Sequence, residues 1–174
     1  MARSRRGLTH FRRVLDVTRN EVPELSASIQ IAAPVEEVWQ LVSDVTRMPE
    51  WSPQVQSVRL RSGFDEVSLG AEFTNRNSLG GGLDWTTHAT ITAYDAPREV
   101  AFRVEENWVT WRFALSPTDD GTLLVQHREA PDGISDLSQQ LTDGFMGGTE
   151  QFSDTMRAGM AETLERIKSA AEFH

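Results

Sequence analysis

The hydrophobic period of the chain changes from 3.6 residues to two near Val55, and this change constrains the fold more than any other feature of the sequence. From there to residue 130, runs of alternating apolar and polar residues are separated by turn-forming residues, such as Ser62-Gly63, Gly80-Gly81-Gly82 and Asp119-Asp120-Gly121. Strict alternation indicates strands that bury one face and expose the other. The pattern predicts six strands of an antiparallel meander, near residues 55–61, 70–77, 84–94, 98–105, 108–116 and 122–130.

Helical patterns and one further strand flank this meander. Residues 25–32 alternate and predict an additional strand, which brings the total to about seven. The run Pro34-Val35-Glu36-Glu37 is typical of a helix start, because proline lacks only an N–H that would have no partner there and acidic residues complement the helix dipole. An apolar stripe over residues 152–171 predicts a long C-terminal helix, and Gly147-Gly148 is expected to interrupt the helical pattern just before it.

Length and charge distribution predict one domain preceded by a basic segment. The chain has 174 residues, which is within the range of a single domain. Residues 1–22 hold six arginines and two acidic residues, and their apolar spacing fits either an amphipathic helix or a solvated tail. We therefore expect a basic N-terminal extension over residues 1–22, a candidate for peripheral membrane contact, and a single domain over residues 23–174.

Composition excludes several classes of function. The net charge of -9 argues against nucleic-acid binding, because an acidic surface repels phosphates. The absence of cysteine excludes a disulfide scaffold, a thiolate metal site and a cysteine nucleophile. The four histidines are dispersed, and Gly80-Gly81-Gly82 lacks a following Lys-Ser/Thr pair, so we expect no metal and no cofactor. No stretch approaches 18 apolar residues, and Arg12 and Arg13 interrupt the one candidate signal peptide, so a cytoplasmic location without a transmembrane segment is expected.

Four short runs, in this order of elements, carry a resemblance to a known family: residues 33–39 (APVEEVW), 48–55 (MPEWSPQV), 95–102 (DAPREVAF) and Gly121-Thr122. Over about residues 25–171 the chain resembles the START-like, or SRPBCC, helix-grip superfamily, and within it the polyketide cyclase/dehydrase and lipid-transport branch. The resemblance implies an α+β fold in which a strongly bent antiparallel sheet of about seven strands, in the order β-α-α-β6-α, wraps around a long C-terminal helix. It also implies a cavity between sheet and helix that holds a hydrophobic or amphipathic molecule, such as a lipid or a polyketide.

The candidate ligand-binding residues are the large side chains expected on the inner face of this fold. Each of them also has a plainer interpretation as core packing, since aromatic residues at strand spacing usually pack against one another. The candidate wall consists of Trp51, Phe73, Trp85, Phe102, Trp111, Phe113, Phe152 and Met156.

His127 is the candidate polar group of the site. Leu123, Val125, His127 and Glu129 share one strand face, and the first two are apolar, so we expect the cavity to contain His127 and Glu129. As a pair they are candidate catalytic acid–base groups. The alternative is that this end of the strand lies in solvent. For His88 we expect a solvent-exposed position, because it alternates with the apolar residues of its own strand.

Three functions are compatible with these sequence features, and the sequence leaves all three open. The first is a protein that binds a hydrophobic small molecule without turnover. The second is a polyketide cyclase or dehydratase type of enzyme that uses acid–base residues in the cavity. The third is an interaction or stress-response module that docks through residues 1–22. A monomer and a homodimer are both compatible with the sequence.

Overall fold

A computed structural model describes residues 20–173, and these residues form one seven-stranded antiparallel sheet with helices on one face. The strand order across the sheet is β1-β7-β6-β5-β4-β3-β2. The first strand therefore pairs with the last, and each of the strands β2 to β7 pairs with the next one in the sequence. Six of the strands match the six predicted runs. The strands are β1 (Leu25–Ile31), β2 (Val55–Leu60), β3 (Glu72–Ser78), β4 (Asp84–Asp95), β5 (Glu99–Val104), β6 (Thr110–Thr118) and β7 (Gly121–Glu129).

Four helices accompany the sheet in the described residues. They are α1 (Val35–Val42), α2 (Met48–Trp51), α3 (Asp136–Phe145) and α4 (Gly148–Glu172), with a 3-10 turn at Val45–Arg47. The positions of α1 and α4 match the helix start predicted at Pro34 and the predicted long C-terminal helix. Glu36 and Glu37 lie in the first turn of α1, directly after Pro34. The predicted break before the C-terminal helix is confirmed, because Gly147 adopts a left-handed conformation between α3 and α4. No helix in the described part of the chain has the length and apolarity needed to cross a bilayer.

The two halves of α4 have different surroundings. Leu164, Ile167 and Ala171, in its C-terminal half, belong to a closed apolar cluster that includes α1 and the inner faces of β1, β6 and β7. Met156 and Met160, in its N-terminal half, pack instead against Leu25, Trp111 and Phe152. The C-terminal half of α4 therefore completes the core, while its N-terminal half covers the remaining space above the sheet.

Polar contacts fasten the end of α4 to the segment between β1 and α1. Glu172 Oε1 accepts a hydrogen bond from the backbone N–H of Ala32 at 2.7 Å, and Lys168 Nζ donates to Gln30 O and to Glu172, both at 2.7 Å. The backbone N–H of Ala32 and the Lys168 ammonium both favour the carboxylate, so the pKa of Glu172 lies below its ordinary value. These contacts fix the position of α4 along the sheet.

The predicted inner face of β7 is wrong by one residue. Thr122, Leu124, Gln126 and Arg128 are the buried residues, whereas Leu123, Val125, His127 and Glu129 point to the opposite face. Successive side chains on a strand alternate between faces, so a shift of one residue exchanges the whole set. His127 and Glu129 consequently do not face the space between the sheet and α4.

The predicted N-terminal extension lies outside the described residues apart from its last positions. Asn20 is the first described residue, and it pairs with Ile134 in the connection between β7 and α3. Its side-chain amide also donates to Asp136 Oδ1 at 2.8 Å. The division into an extension over residues 1–22 and a domain over residues 23–174 stays a prediction.

Candidate functional site

A cavity of about 140 Å³ lies between the inner face of the sheet, α2 and the N-terminal half of α4. Its lining is mostly apolar and aromatic, with a smaller set of polar side chains on the strands. The large apolar members are Met48, Trp51, Trp85, Phe102, Trp111, Phe113, Phe152, Met156 and Met160. The polar members from the sheet and its turns are Asn75, Asn77, Thr87, Asn107, Gln126 and Arg128.

Most of the candidate wall residues lie around this cavity. The structure brings together Trp51, Trp85, Phe102, Trp111, Phe113, Phe152 and Met156. Phe73 is not among them, because its fully buried ring packs edge-on against Phe102 with 5.2 Å between ring centroids, inside a separate apolar cluster. His127 is also absent from the lining, for the strand-face reason given above.

Arg128 is the charged member of the lining. The residue is 7% exposed, and its guanidinium lies over two aromatic rings, with Cζ 5.9 Å from the Trp111 ring and 5.5 Å from the Phe152 ring. Burial lowers the pKa of Arg128 to about 10, because the charged form loses solvation. A group with this pKa is still protonated at neutral pH, so the cavity holds a positive charge.

Three buried polar atoms without a hydrogen-bond partner among the described residues belong to the same cavity. They are Trp51 Nε1, Asn75 Oδ1 and Gln126 Oε1. A buried polar group that lacks a partner costs about 1 to 3 kcal/mol, so such groups are uncommon in native proteins. Their concentration around one cavity, together with Arg128, gives an apolar space several polar groups that can orient a bound molecule.

The candidate acid–base pair lies on the outer face of the sheet. His127 Nδ1 is 4.0 Å from Glu129 Oε1, so the structure does bring the two side chains close together. Glu129 is also an ion-pair partner of Arg112, and its hydrogen bond raises the pKa of Arg112. The pair therefore belongs to a surface charge cluster, on the side of the sheet away from the cavity.

A second group with metal-binding residue types also lies on the outer face. The ligand atoms of His88, Glu105 and Glu106 are within 4.8 Å of one another, and the sequence did not reveal this group because His88 is on β4 and the acids follow β5. Glu106 already accepts hydrogen bonds from the His88 ring, at 2.6 Å, and from its backbone N–H. Glu105 lies 3.9 Å from Arg61. We assign these side chains to surface ion pairing.

The cavity contains functional candidates that sequence reasoning missed, namely Arg128, Gln126 and Asn75. A signal for two of them was present in the sequence. The predicted turn at Asp119-Asp120-Gly121 contains the two-residue hairpin loop Asp119-Asp120, and such a loop fixes the register of its strands. That register pairs Trp111 with Arg128 and Phe113 with Gln126, so the inner face of β6 identifies the inner face of β7.

Comparison with known proteins agrees with this architecture. Residues 22–172 match the family described as polyketide cyclase / dehydrase and lipid transport. A polyketide_cyc-like protein from Corynebacterium glutamicum is 28% identical, with a TM-score of 0.55, and the match covers 87% of this chain and 94% of that one. No curated protein matches the chain.

Two further solved structures share the fold at lower identity. A protein from Bacillus halodurans is 19% identical with a TM-score of 0.63, over 87% of this chain and 98% of that one. A di-domain ARO/CYC from the BE-7585A biosynthetic pathway is 19% identical with a TM-score of 0.63, over 86% of this chain and 50% of that one. The family match spans nearly all of the described residues, and the chain belongs to the polyketide cyclase/dehydrase and lipid transport family.

Proposed function

We propose that the protein binds an amphipathic small molecule with a hydrophobic body in the cavity between the sheet and α4. The observation that carries this proposal is the coincidence of an aromatic lining with buried polar atoms that have no protein partner among the described residues. Apolar surface removed from water stabilises a bound ligand by roughly 25 cal/mol per Å², and a few polar groups then fix its orientation. A packed core would need neither the space nor the unpartnered polar groups.

The volume of the cavity limits the size of the ligand. The cavity measures about 140 Å³, and an apolar cavity of about 150 Å³ is large enough to bind benzene. Sites for larger ligands usually measure about 300 to 1,000 Å³. The cavity as it stands therefore accommodates one ring or a short chain, and the rest of a longer lipid or polyketide chain would extend beyond it.

Binding without turnover is favoured over acid–base catalysis by the identity of the lining residues. General acid–base catalysis uses His, Asp, Glu, Lys, Tyr or Cys within hydrogen-bond reach of the substrate. None of these residue types occurs among the described residues that line the cavity. The cyclase or dehydratase hypothesis would therefore need a proton-transfer group from elsewhere.

The third hypothesis, docking through residues 1–22, concerns a segment that is almost wholly outside the described residues. The structure therefore contributes no observation in its favour. The cytoplasmic location and the monomeric or dimeric state also stay predictions.

Indole N–H signals in a nitrogen–proton NMR spectrum test the proposed binding site directly. Trp51, Trp85 and Trp111 line the cavity, whereas Trp39 and Trp108 do not, so the protein carries its own control. Toluene is the probe, because it is apolar and matches the cavity in size. We expect toluene to shift the first three signals selectively, and equal shifts of all five or no shifts would contradict the proposal.

A pair of helical glycines supplies the matched variants. Gly159 lines the cavity, and a Cβ atom there would meet Gln54 Nε2 at 3.5 Å and Pro53 Cγ at 3.8 Å, which are ordinary contacts. Gly144 is exposed on α3, and a Cβ atom there would meet nothing within 4 Å. Gly159→Met should reduce the toluene-induced shifts by filling the site, and Gly144→Met should leave them unchanged.

Native mass spectrometry of the protein purified from its host, with identification of any retained molecule, would then name the ligand.

A further inference from the structure

Arg128 combines burial with the absence of an ion pair, a combination that sets it apart from the other described arginines, since Arg59 and Arg76 are exposed. Seven arginines form ion pairs with nearby carboxylates in more exposed positions: Arg47, Arg61, Arg98, Arg103, Arg112, Arg157 and Arg166. The chain has 26 acidic residues, so carboxylates are abundant. Arg128 nevertheless makes no ion pair with any described residue, although it is the most buried of these arginines.

The surroundings of Arg128 leave its hydrogen-bonding edge available. The Trp111 and Phe152 ring centroids lie 5.9 and 5.5 Å from the guanidinium carbon, and the Arg128 side chain makes no hydrogen bond to a described residue. A guanidinium carries five N–H donors in a planar fork that matches the two oxygens of a carboxylate. Since Arg128 lines the cavity, a ligand there can reach this fork.

A neutral amide lies near Arg128 on the cavity wall. Gln126 lies two residues before Arg128 on the same strand face, which places the two backbone positions roughly 6.6 to 6.8 Å apart. Gln126 Oε1 has no partner among the described residues, and its amide can donate or accept hydrogen bonds. The cavity is therefore positively charged, with a neutral amide near the charge and aromatic rings in its lining.

We infer that the cavity selects a small monoanionic carboxylate with an aromatic or short apolar body, and that the carboxylate pairs with Arg128. This inference rests on the proposed binding function and specifies the class of ligand. One cation balances one negative charge, so a phosphate dianion would leave an uncompensated buried charge, which is strongly unfavourable. The volume of about 140 Å³ limits the apolar part to a single ring or a chain of similar size.

Benzoate and benzamide test the inference, because they have nearly the same shape and differ in charge at pH 7. Their dissociation constants are measured from the cavity indole signals, with toluene as the neutral reference. A hydrogen-bonded pair with a charged group is worth roughly 10- to 100-fold in affinity, so we expect benzoate to bind more tightly than benzamide by that factor. Phenyl phosphate should bind more weakly than benzoate.

Three variants assign the preference to Arg128. Arg128→Met should remove the advantage of benzoate over benzamide while benzamide and toluene still bind. Arg128→Lys keeps the charge but loses the planar fork, so it should retain part of the advantage. Arg59→Met, at an exposed position on β2, is the matched control and should change nothing.

The outcomes separate this inference from the proposed function. If benzoate and benzamide bind the native protein equally, or if Arg128→Met leaves the advantage of benzoate intact, the carboxylate site is refuted and binding in the cavity stands. If toluene, benzamide and benzoate all leave the cavity indoles unchanged, the binding function fails and the carboxylate site fails with it.

Discussion

Arg128 should destabilise the free protein, so its replacement by methionine should increase the free energy of unfolding. Burial removes water from the guanidinium and lowers the pKa of Arg128 to about 10, and at 1.36 kcal/mol per pKa unit this fall corresponds to about 3 kcal/mol against the charged form. Each of the two aromatic contacts offsets this cost by roughly 0.5 to 1 kcal/mol. The net cost of the arginine is therefore about 1 to 2 kcal/mol.

Methionine is the appropriate replacement because it keeps an unbranched apolar stem against Trp111 and Phe152 without the charge. For a domain of this size, a gain of about 1 to 2 kcal/mol corresponds to a rise in Tm of about 2 to 8 °C. Thermal unfolding followed by circular dichroism at pH 7 measures it, with Arg59→Met as the exposed control. The advantage of the variant should decrease above about pH 10, where the folded native protein loses the buried charge.

A fall in the Tm of Arg128→Met, with reversible two-state unfolding, would refute this reasoning. It would mean that the arginine stabilises the fold through its contacts, so its burial would need no ligand to explain it. A rise would identify a residue that is kept at a cost to stability, which is the usual signature of a functional group. Benzoate should then raise the Tm of the native protein more than that of the variant.

Four further substitutions test the packing and the electrostatics of the fold. Gly121→Ala should destabilise the protein by about 3 kcal/mol or more in urea denaturation, because Gly121 has φ +132° and a Cβ atom there would collide with the backbone of Ile31 and Ala33. Phe73→Ala should cost about 3 to 5 kcal/mol, as expected for a fully buried aromatic residue, whereas His127→Ala on the outer face should change stability by less than about 0.5 kcal/mol. Glu172→Gln should reduce stability more at pH 7 than at pH 3, since a carboxylate with a lowered pKa contributes above its unfolded pKa and loses that contribution as the pH falls through its folded pKa. A Glu172→Gln variant that is equally destabilised at both pH values would contradict the last prediction.

The order of the elements could be predicted because each leaves a local signal. Alternation identified the strands, Pro34 marked the start of α1, and Gly147-Gly148 marked the break before α4. These signals depend on backbone conformation and on which face is apolar, and both are encoded within a few residues. Seven of the nine candidate ligand-binding residues line the cavity: Trp85, Phe102, Trp111 and Phe113 on the sheet, and Trp51, Phe152 and Met156 on α2 and α4. Large apolar side chains that face inward from either layer adjoin whatever space lies between the layers.

Phe73 shows what local patterns do not encode. Phe73 on β3 and Phe102 on β5 both lie on the inner face of the sheet, so the sequence pattern is the same for both. Phe73 is nevertheless fully buried in the core, whereas Phe102 lines the cavity. The difference depends on where α2 and α4 cross the sheet. That crossing is fixed by contacts far apart in sequence, such as Glu172 with Ala32. A single strand therefore cannot distinguish a core residue from a cavity residue.

The wrong face of β7 has a different cause, and the cause bears on function. The alternation rule assumes that the inner face is the apolar one, but here the inner face carries Gln126 and Arg128 while the outer face carries Leu123 and Val125. A sequence breaks this rule at a cost in stability, which is expected at functional sites. The register set by the two-residue turn is independent of polarity, and it places Arg128 directly opposite Trp111. Where hairpin register and hydrophobic pattern disagree, as they do at the cavity end of β7, the disagreement itself marks the polar end of the site.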